Sequence, residues 1–154
     1  MNNKNKRRGF TLIEILVVIG ILAILATIVL VAINPARQFR LARDSQRTAN
    51  VTAILNAIGQ NMTDNRGIFT CDGAAFLIPT NTTTISAGTS GDIARCLVPT
   101  YISSLPFDPS REGARYISTI DYDTGYEFVS DAEGRVTVSA PSAELAPGGI
   151  SVTR

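Results

Sequence analysis

Phe10 to Ile33 is a nearly unbroken apolar run of 24 residues that carries a single charge, Glu14. As a helix it would reach roughly 36 Å, more than the ~30 Å hydrocarbon core of a bilayer. A cleaved secretory signal has an apolar stretch of only about 7–15 residues, with a small-residue cleavage site behind it. Here the run is too long, and Ala23 and Ala26 stand three apart rather than two. The segment predicts a membrane helix that stays in the protein, and a plain signal anchor is the simplest form of it.

Three features go beyond a plain anchor. Glu14 sits a few residues inside the apolar run, where a carboxylate costs about 2.5–3.5 kcal/mol at mid-bilayer and less near the interface. An ionisable group kept there is a functional candidate in need of a cation partner. Gly9 stands directly between a basic cluster (Lys4, Lys6, Arg7, Arg8) and the run, and an amphipathic pattern follows the run without a linker.

The segment Lys6-Arg7-Arg8-Gly9-Phe10-Thr11-Leu12-Ile13-Glu14 resembles the leader and first turns of type IV pilins and pseudopilins. The resemblance implies that a membrane-embedded prepilin peptidase cuts on the cytoplasmic side between Gly9 and Phe10, then N-methylates the new amine of Phe10. It also implies that Glu14, fifth in the mature chain, pairs with the Phe10 amine of a neighbouring subunit during filament assembly. The residue chemistry agrees. The basic cluster would hold the leader at an anionic leaflet, at about 1 kcal/mol per charge. Glycine lets the peptide bond after it enter a narrow protease site. The counts of Lys and Arg flanking the span tie at four before and four after, so the positive-inside rule sets no orientation. The leader and the cysteine pair place the C-terminal head outside.

The net charge of +1 hides an uneven distribution. Residues 34–50 hold Arg37, Arg40, Arg43 and Arg47 against Asp44, whereas residues 51–154 hold six arginines against eleven acids. This is not the basic face of a nucleic-acid-binding domain. The two cysteines, Cys71 and Cys96, lack the histidines or further cysteines that a structural zinc would need. They predict a disulfide if the head lies outside the cytoplasm.

Beyond the membrane, Asn34-Pro35 interrupts the helical pattern, and a kink or a helix boundary is expected at Pro35. From Ala36 the period is helical, with an apolar stripe of Phe39, Ala42, Ala49, Val51, Ile54, Leu55, Ile58 and Met62. The four arginines repeat on another face, read as solvated or as meeting acids of neighbouring heads. Residues 10–63 would then form one bent helix of about 80 Å. Residues 64–92 read as loop, Cys96–Ile102 as a short helical turn that brings Cys96 toward Cys71, and Leu105–Pro109 as a rigid connector. Three strands are expected at Arg115–Ile120, Tyr126–Ser130 and Arg135–Ala140, with turns at Asp123-Thr124-Gly125 and Asp131–Gly134. The tail from Pro141 reads as loose. The expected fold is α+β: a long bent N-terminal helix packed on a small antiparallel three-stranded sheet, also the architecture that pilin resemblance implies. The expected division is a cleaved leader (1–9), a transmembrane and filament-core half-helix (10–34), an amphipathic half-helix (35–63) and a head (64–154).

No catalytic set emerges, since no histidine exists to act as base and no phosphate-cradling glycine loop is visible. No cofactor is expected. Asp108, Ser110, Glu112, Asp121 and Asp123 offer oxygens to calcium, but in no EF-hand spacing, and turns commonly carry such acids. The leading expectation is a structural subunit of a type IV pilus serving adhesion, motility or DNA uptake. Its partners would be other pilin subunits, the prepilin peptidase, an inner-membrane assembly platform, membrane lipid before assembly, and nucleic acid as filament cargo. It would lie in the cytoplasmic membrane first and in an extracellular filament afterwards. The alternatives are a pseudopilin of a type II secretion or competence system and a monomeric membrane-anchored binding module.

Overall fold

The computed structural model describes residues 9–154; the basic cluster and most of the expected leader lie outside the described residues. The chain divides into two compact units after Gln38.

In the first unit, helix α1 runs Leu12–Ile33, and none of its residues is buried. Among the described residues it is the one helix long and apolar enough to cross a membrane. A helix packed on a soluble domain shows a polar face, and α1 has none until its ends. Its one interior hydroxyl is satisfied internally, because Thr27 donates to the Ala23 carbonyl at 2.8 Å.

The helix ends at Asn34, which adopts a left-handed conformation with φ 49° and ψ 78°. Pro35 explains this ending: its ring disfavours right-handed helix at the preceding residue, and asparagine tolerates the left-handed region better than most. Helix α2, Pro35–Asp64, starts on that proline, where a missing N–H costs nothing. The Asn34 carbonyl and side-chain oxygen then both accept the Arg37 N–H, at 3.0 and 3.3 Å. The expected single helix is therefore two helices separated by one residue, and of the two expectations at Pro35 the helix boundary is the one found.

In the second unit, α2 lays one face on the head. Asp44, Arg47, Val51, Ile54, Leu55, Ala57, Ile58 and Asn61 are buried. The expected stripe holds from Val51 onward but not before it: Phe39, Ala42 and Ala49 are exposed. At about 100° per residue, Ala49 and Ala42 lie some 160–180° around the helix from Val51. Positions four and seven before Val51 share its face, and these are Arg47 and Asp44.

The sheet has five antiparallel strands rather than three. Its centre is β5, Asp121–Ser130, between β3 (Thr83–Ser86) on one edge and β4 (Arg115–Ser118) and β6 (Val136–Ala140) along the other; β7, Ile150–Thr153, pairs with β6. The segment expected as loop thus supplies β3, and the tail expected as loose supplies β7. The same loop segment also holds a short hairpin of β1 (Thr70–Cys71) and β2 (Ala74–Ala75), turned by Asp72-Gly73. Alternate residues Tyr122, Thr124, Tyr126 and Phe128 of β5 and Val136, Val138 and Ala140 of β6 face inward. With the α2 stripe, Phe69, Ile85, Ile93, Leu97 and Leu105 they form the core.

Asp123-Thr124-Gly125, expected as a hairpin turn, lies inside β5 as a bulge: the register with β3 shifts there, and Gly125 has φ 73°. The Asp123 carboxylate accepts the Gly125 N–H at 2.9 Å, so the turn chemistry is present but spent on bending a strand. The Asp131–Gly134 turn is found where expected, with the Gly134 amide donating to Asp131. Helix α3, Ala94–Leu97, carries Cys96 to Cys71, and the two form a disulfide that closes a sequence separation of 25.

A loop of that length stabilises a folded chain by about 3 kcal/mol in the chain-entropy treatment. Reduction of the full-length protein in detergent is expected to lower its unfolding free energy by about that amount, read from urea titrations with and without reductant. Coincident curves would show that the bond adds nothing to the head.

Candidate functional site

Two arrangements of polar side chains stand out, one in each unit. The first opens α1. Thr11 is the N-cap: its Oγ1 accepts the Glu14 N–H at 3.3 Å, while Glu14 Oε2 accepts the Thr11 N–H at 2.9 Å and the Thr11 hydroxyl at 3.0 Å. This reciprocal capping box satisfies orphan donors of the first turn and places a negative charge at the positive end of the helix. Glu14 is thereby held against its own helix start, one turn from Phe10, which is 84% exposed. Phe10, Ile13, Glu14, Val17 and Val18 line an open, almost wholly apolar depression, so the carboxylate is the polar point of a greasy surface. Gly9 is exposed, and a side chain there would meet nothing within 4 Å.

The second arrangement was not expected. Arg47, read from sequence as part of a solvated face, is completely buried. All five of its N–H donors are used. Nε and Nη2 give a two-pronged bond to Asp108 at 2.8 and 3.0 Å, and Nη2 also donates to Ser110 at 2.6 Å. Nη1 donates to Asp44 at 2.7 Å and Glu144 at 3.2 Å. Asp44 in turn accepts the backbone amides of Glu144 and Leu145 at 2.9 and 2.8 Å, and Glu144 accepts from Arg43 at 2.5 and 2.6 Å. The signal that would have found Arg47 is its place four residues before Val51, on the buried face. Gly125 belongs to this site sterically, since a Cβ there would lie 3.1 Å from the Asp108 Cβ and 2.9 Å from Arg111 Cδ.

The carboxylates considered for calcium are spread apart. Asp108 is committed to Arg47, Asp121 pairs with Arg115 at 2.7 Å, and Asp123 accepts its own turn amide. Among the described residues, no three acidic, histidine or cysteine side chains stand together as a ligand set.

Residues 4–30 match the prokaryotic N-terminal methylation motif. The chain is 30% identical over 148 residues to the type II secretion system core protein G of Vibrio cholerae serotype O1, covering 94% of each protein. The chain belongs to the type IV pilin and pseudopilin family. It is also 40% identical over 82 residues to the prepilin peptidase-dependent protein D of Escherichia coli K12, a match that spans 52% of this chain and 53% of that protein. No solved structure matches the chain. The observed α+β architecture, a long apolar N-terminal helix with an antiparallel sheet, is the pilin-like fold that the leader resemblance implied.

In this pilin-like head the Arg47 cluster has a definite pH signature. Burial alone would raise Asp44 and Asp108. The amides of Glu144 and Leu145 together with Arg47 outweigh it at Asp44, and the Arg47 guanidinium with the amides of Ser110 and Arg111 outweighs it at Asp108, so both titrate below the ordinary range. Hydrogen bonds from Arg43, opposed by burial and helped by Arg47, bring Glu144 down to about 2. A depressed carboxylate stabilises the fold fully above its unfolded pKa, about 4, and loses that contribution as pH falls through the folded value. The melting temperature of the full-length protein in detergent should therefore hold to about pH 4 and drop toward pH 2. Arg47→Met, which leaves Asp108 buried without a cation, should cost about 3–5 kcal/mol at neutral pH and weaken the acid-induced loss. A variant as stable as its parent would show that the guanidinium does not hold the head together.

Proposed function

We propose that the chain is a structural subunit of a type IV pilus filament. In this reading a prepilin peptidase cuts between Gly9 and Phe10 and methylates the Phe10 amine, and α1 then leaves lipid to pack with the α1 helices of other copies. The observation that carries the reading is α1 itself: a helix apolar on every side, with no residue buried among the described residues and one carboxylate in its first turn. Such a surface is stable only in lipid or against its like. Within a bundle of these helices Glu14 has Thr11 as a hydrogen-bond donor, but a hydrogen bond does not cancel charge. A freed amine on Phe10 of an adjacent copy is the cation that stands at the right level. The matched methylation motif supports the modification, and the printed name of the Escherichia coli relative supports the peptidase.

The head would lie outside the cytoplasm, where its disulfide persists. Assembly would need an inner-membrane platform, and adhesion, motility or DNA uptake would be properties of the fibre. A second reading, a pseudopilin of a type II secretion system, is favoured by the near full-length similarity to core protein G.

Intact mass spectrometry of the mature protein is expected to give a chain beginning at Phe10, one methyl heavier and two hydrogens lighter than its bare sequence. Glu14→Gln is expected to be inserted and processed yet to form no filaments, and purified fibres much longer than a cell envelope would favour the pilus over the secretion pseudopilus. Retention of residues 1–9 with no fibres would reduce the protein to a membrane-anchored monomer, and normal fibres from Glu14→Gln would show that the carboxylate does not drive assembly.

A further inference from the structure

Between β6 and β7 the chain crosses α2 through residues 141–149 without strand or helix. What holds this crossing down is polar and reciprocal. The amides of Glu144 and Leu145 donate to the two oxygens of Asp44, and the Glu144 carboxylate accepts from Arg43 and Arg47, with Ser110 at 3.4 Å and Arg40 at 4.0 Å. Its base is narrow. Ala140 pairs with Ile150, and at Gly149, φ 86°, a Cβ would meet the Ala140 carbonyl at 3.0 Å. The ladder therefore closes the two ends of the crossing independently of what its middle does.

We propose that residues 141–149 form an ionic strap that opens and closes on α2 as a unit, with Glu144 as its latch, while the sheet stays folded. Water access separates latch from anchor. The side chains of Arg43 and Glu144 are 34% and 23% exposed, whereas those of Arg47 and Asp108 are both fully buried. Solvent can replace the latch bonds one by one, but not the pair beneath them. Arg47 keeps its two-pronged bond to Asp108 and its bonds to Asp44 and Ser110 when the strap lifts, so no buried cation is stranded by opening. Opening breaks the bonds to Glu144, which water can reach, and two amide bonds to Asp44, whose side chain is 11% exposed and keeps its bond to Arg47, which places the strap toward the low-stability end of local unfolding. It uncovers Arg43 and the mouth of the Arg47 cluster. This inference concerns the head alone and stands whether or not the chain polymerises.

Native-state hydrogen–deuterium exchange on the full-length protein in detergent, read by mass spectrometry, tests it. Amides of residues 141–149 should exchange faster than those of β5 and β6. Glu144→Gln, which keeps shape but removes charge, should speed strap exchange about tenfold and leave residues 121–140 unchanged. Arg43→Gln should speed strap exchange by no more than Glu144→Gln, which also loses the Arg47 bond, and the double variant should add nothing to Glu144→Gln, because that change already removes the bond to Arg43. Unchanged strap exchange in either variant, additive effects in the double, or equal acceleration of strap and sheet would each overturn the proposal.

Discussion

The position of α2 on the head rests on the guanidinium of Arg47. A buried cation in a domain this small is tolerable only if its donors are all used and its charge is met, and here three carboxylates and a hydroxyl do both. Those partners come from α2 itself, from the connector before β4 and from the crossing before the last strand. None of these segments is joined to another by a backbone ladder at that point, so the side-chain bonds decide how they meet. The apolar stripe from Val51 to Ile58 binds α2 to the sheet but fixes its register weakly, because similar side chains repeat every turn. A guanidinium fork on a carboxylate cannot slide.

A second polar clamp stands fourteen residues along, at Asn61. Its amide nitrogen donates to the carbonyls of Thr70 at 2.9 Å and Cys96 at 3.1 Å, and its oxygen accepts the Thr70 N–H at 2.9 Å. These bonds gather the β1 hairpin and α3 at the same place where the disulfide joins them. Arg47 and Asn61 thus pin α2 at points about 21 Å apart, with the apolar core between them. Hydrophobic burial supplies most of the driving force, and the clamps select one alignment from the several that burial would allow.

What was legible in the sequence follows from whether the cause is local. The apolar run, the Asn34-Pro35 break, the stripe beyond Val51 and the Asp131–Gly134 turn each depend on residues within a few positions, and each is found. The burial of Arg47 depends on Asp108 and Glu144, some 60 and 100 residues away, so its regular spacing with Arg37, Arg40 and Arg43 points instead to a solvated face. Strand β3 has a single buried residue, Ile85, and exists because β5 offers it a partner. Strand β7 likewise exists as the partner of β6. Asp123-Thr124-Gly125 shows the opposite difficulty: the local chemistry is legible, but the same Asp–Gly pairing serves a hairpin turn or a strand bulge, and only the neighbouring strands choose. At the N-terminus Glu14 is conspicuous in the sequence against its own apolar helix. Its capping by Thr11 is just as local, a spacing of three, but the apolar signal around it masks the polar pair.

The two units therefore solve opposite problems with the same tool. The head encloses a charge and surrounds it with opposite charges from its own chain, so its polar centre is complete without help. In α1 the single carboxylate receives donors from Thr11 but no countercharge from within the described residues of its unit, and the surface around it is apolar. A fully compensated ion specifies how one chain folds. An ion that is hydrogen-bonded but not neutralised, set in a face that must leave water, carries its unmet requirement to whatever that face packs against. That asymmetry separates Glu14 from Arg47, although Arg47 is the more deeply buried charge.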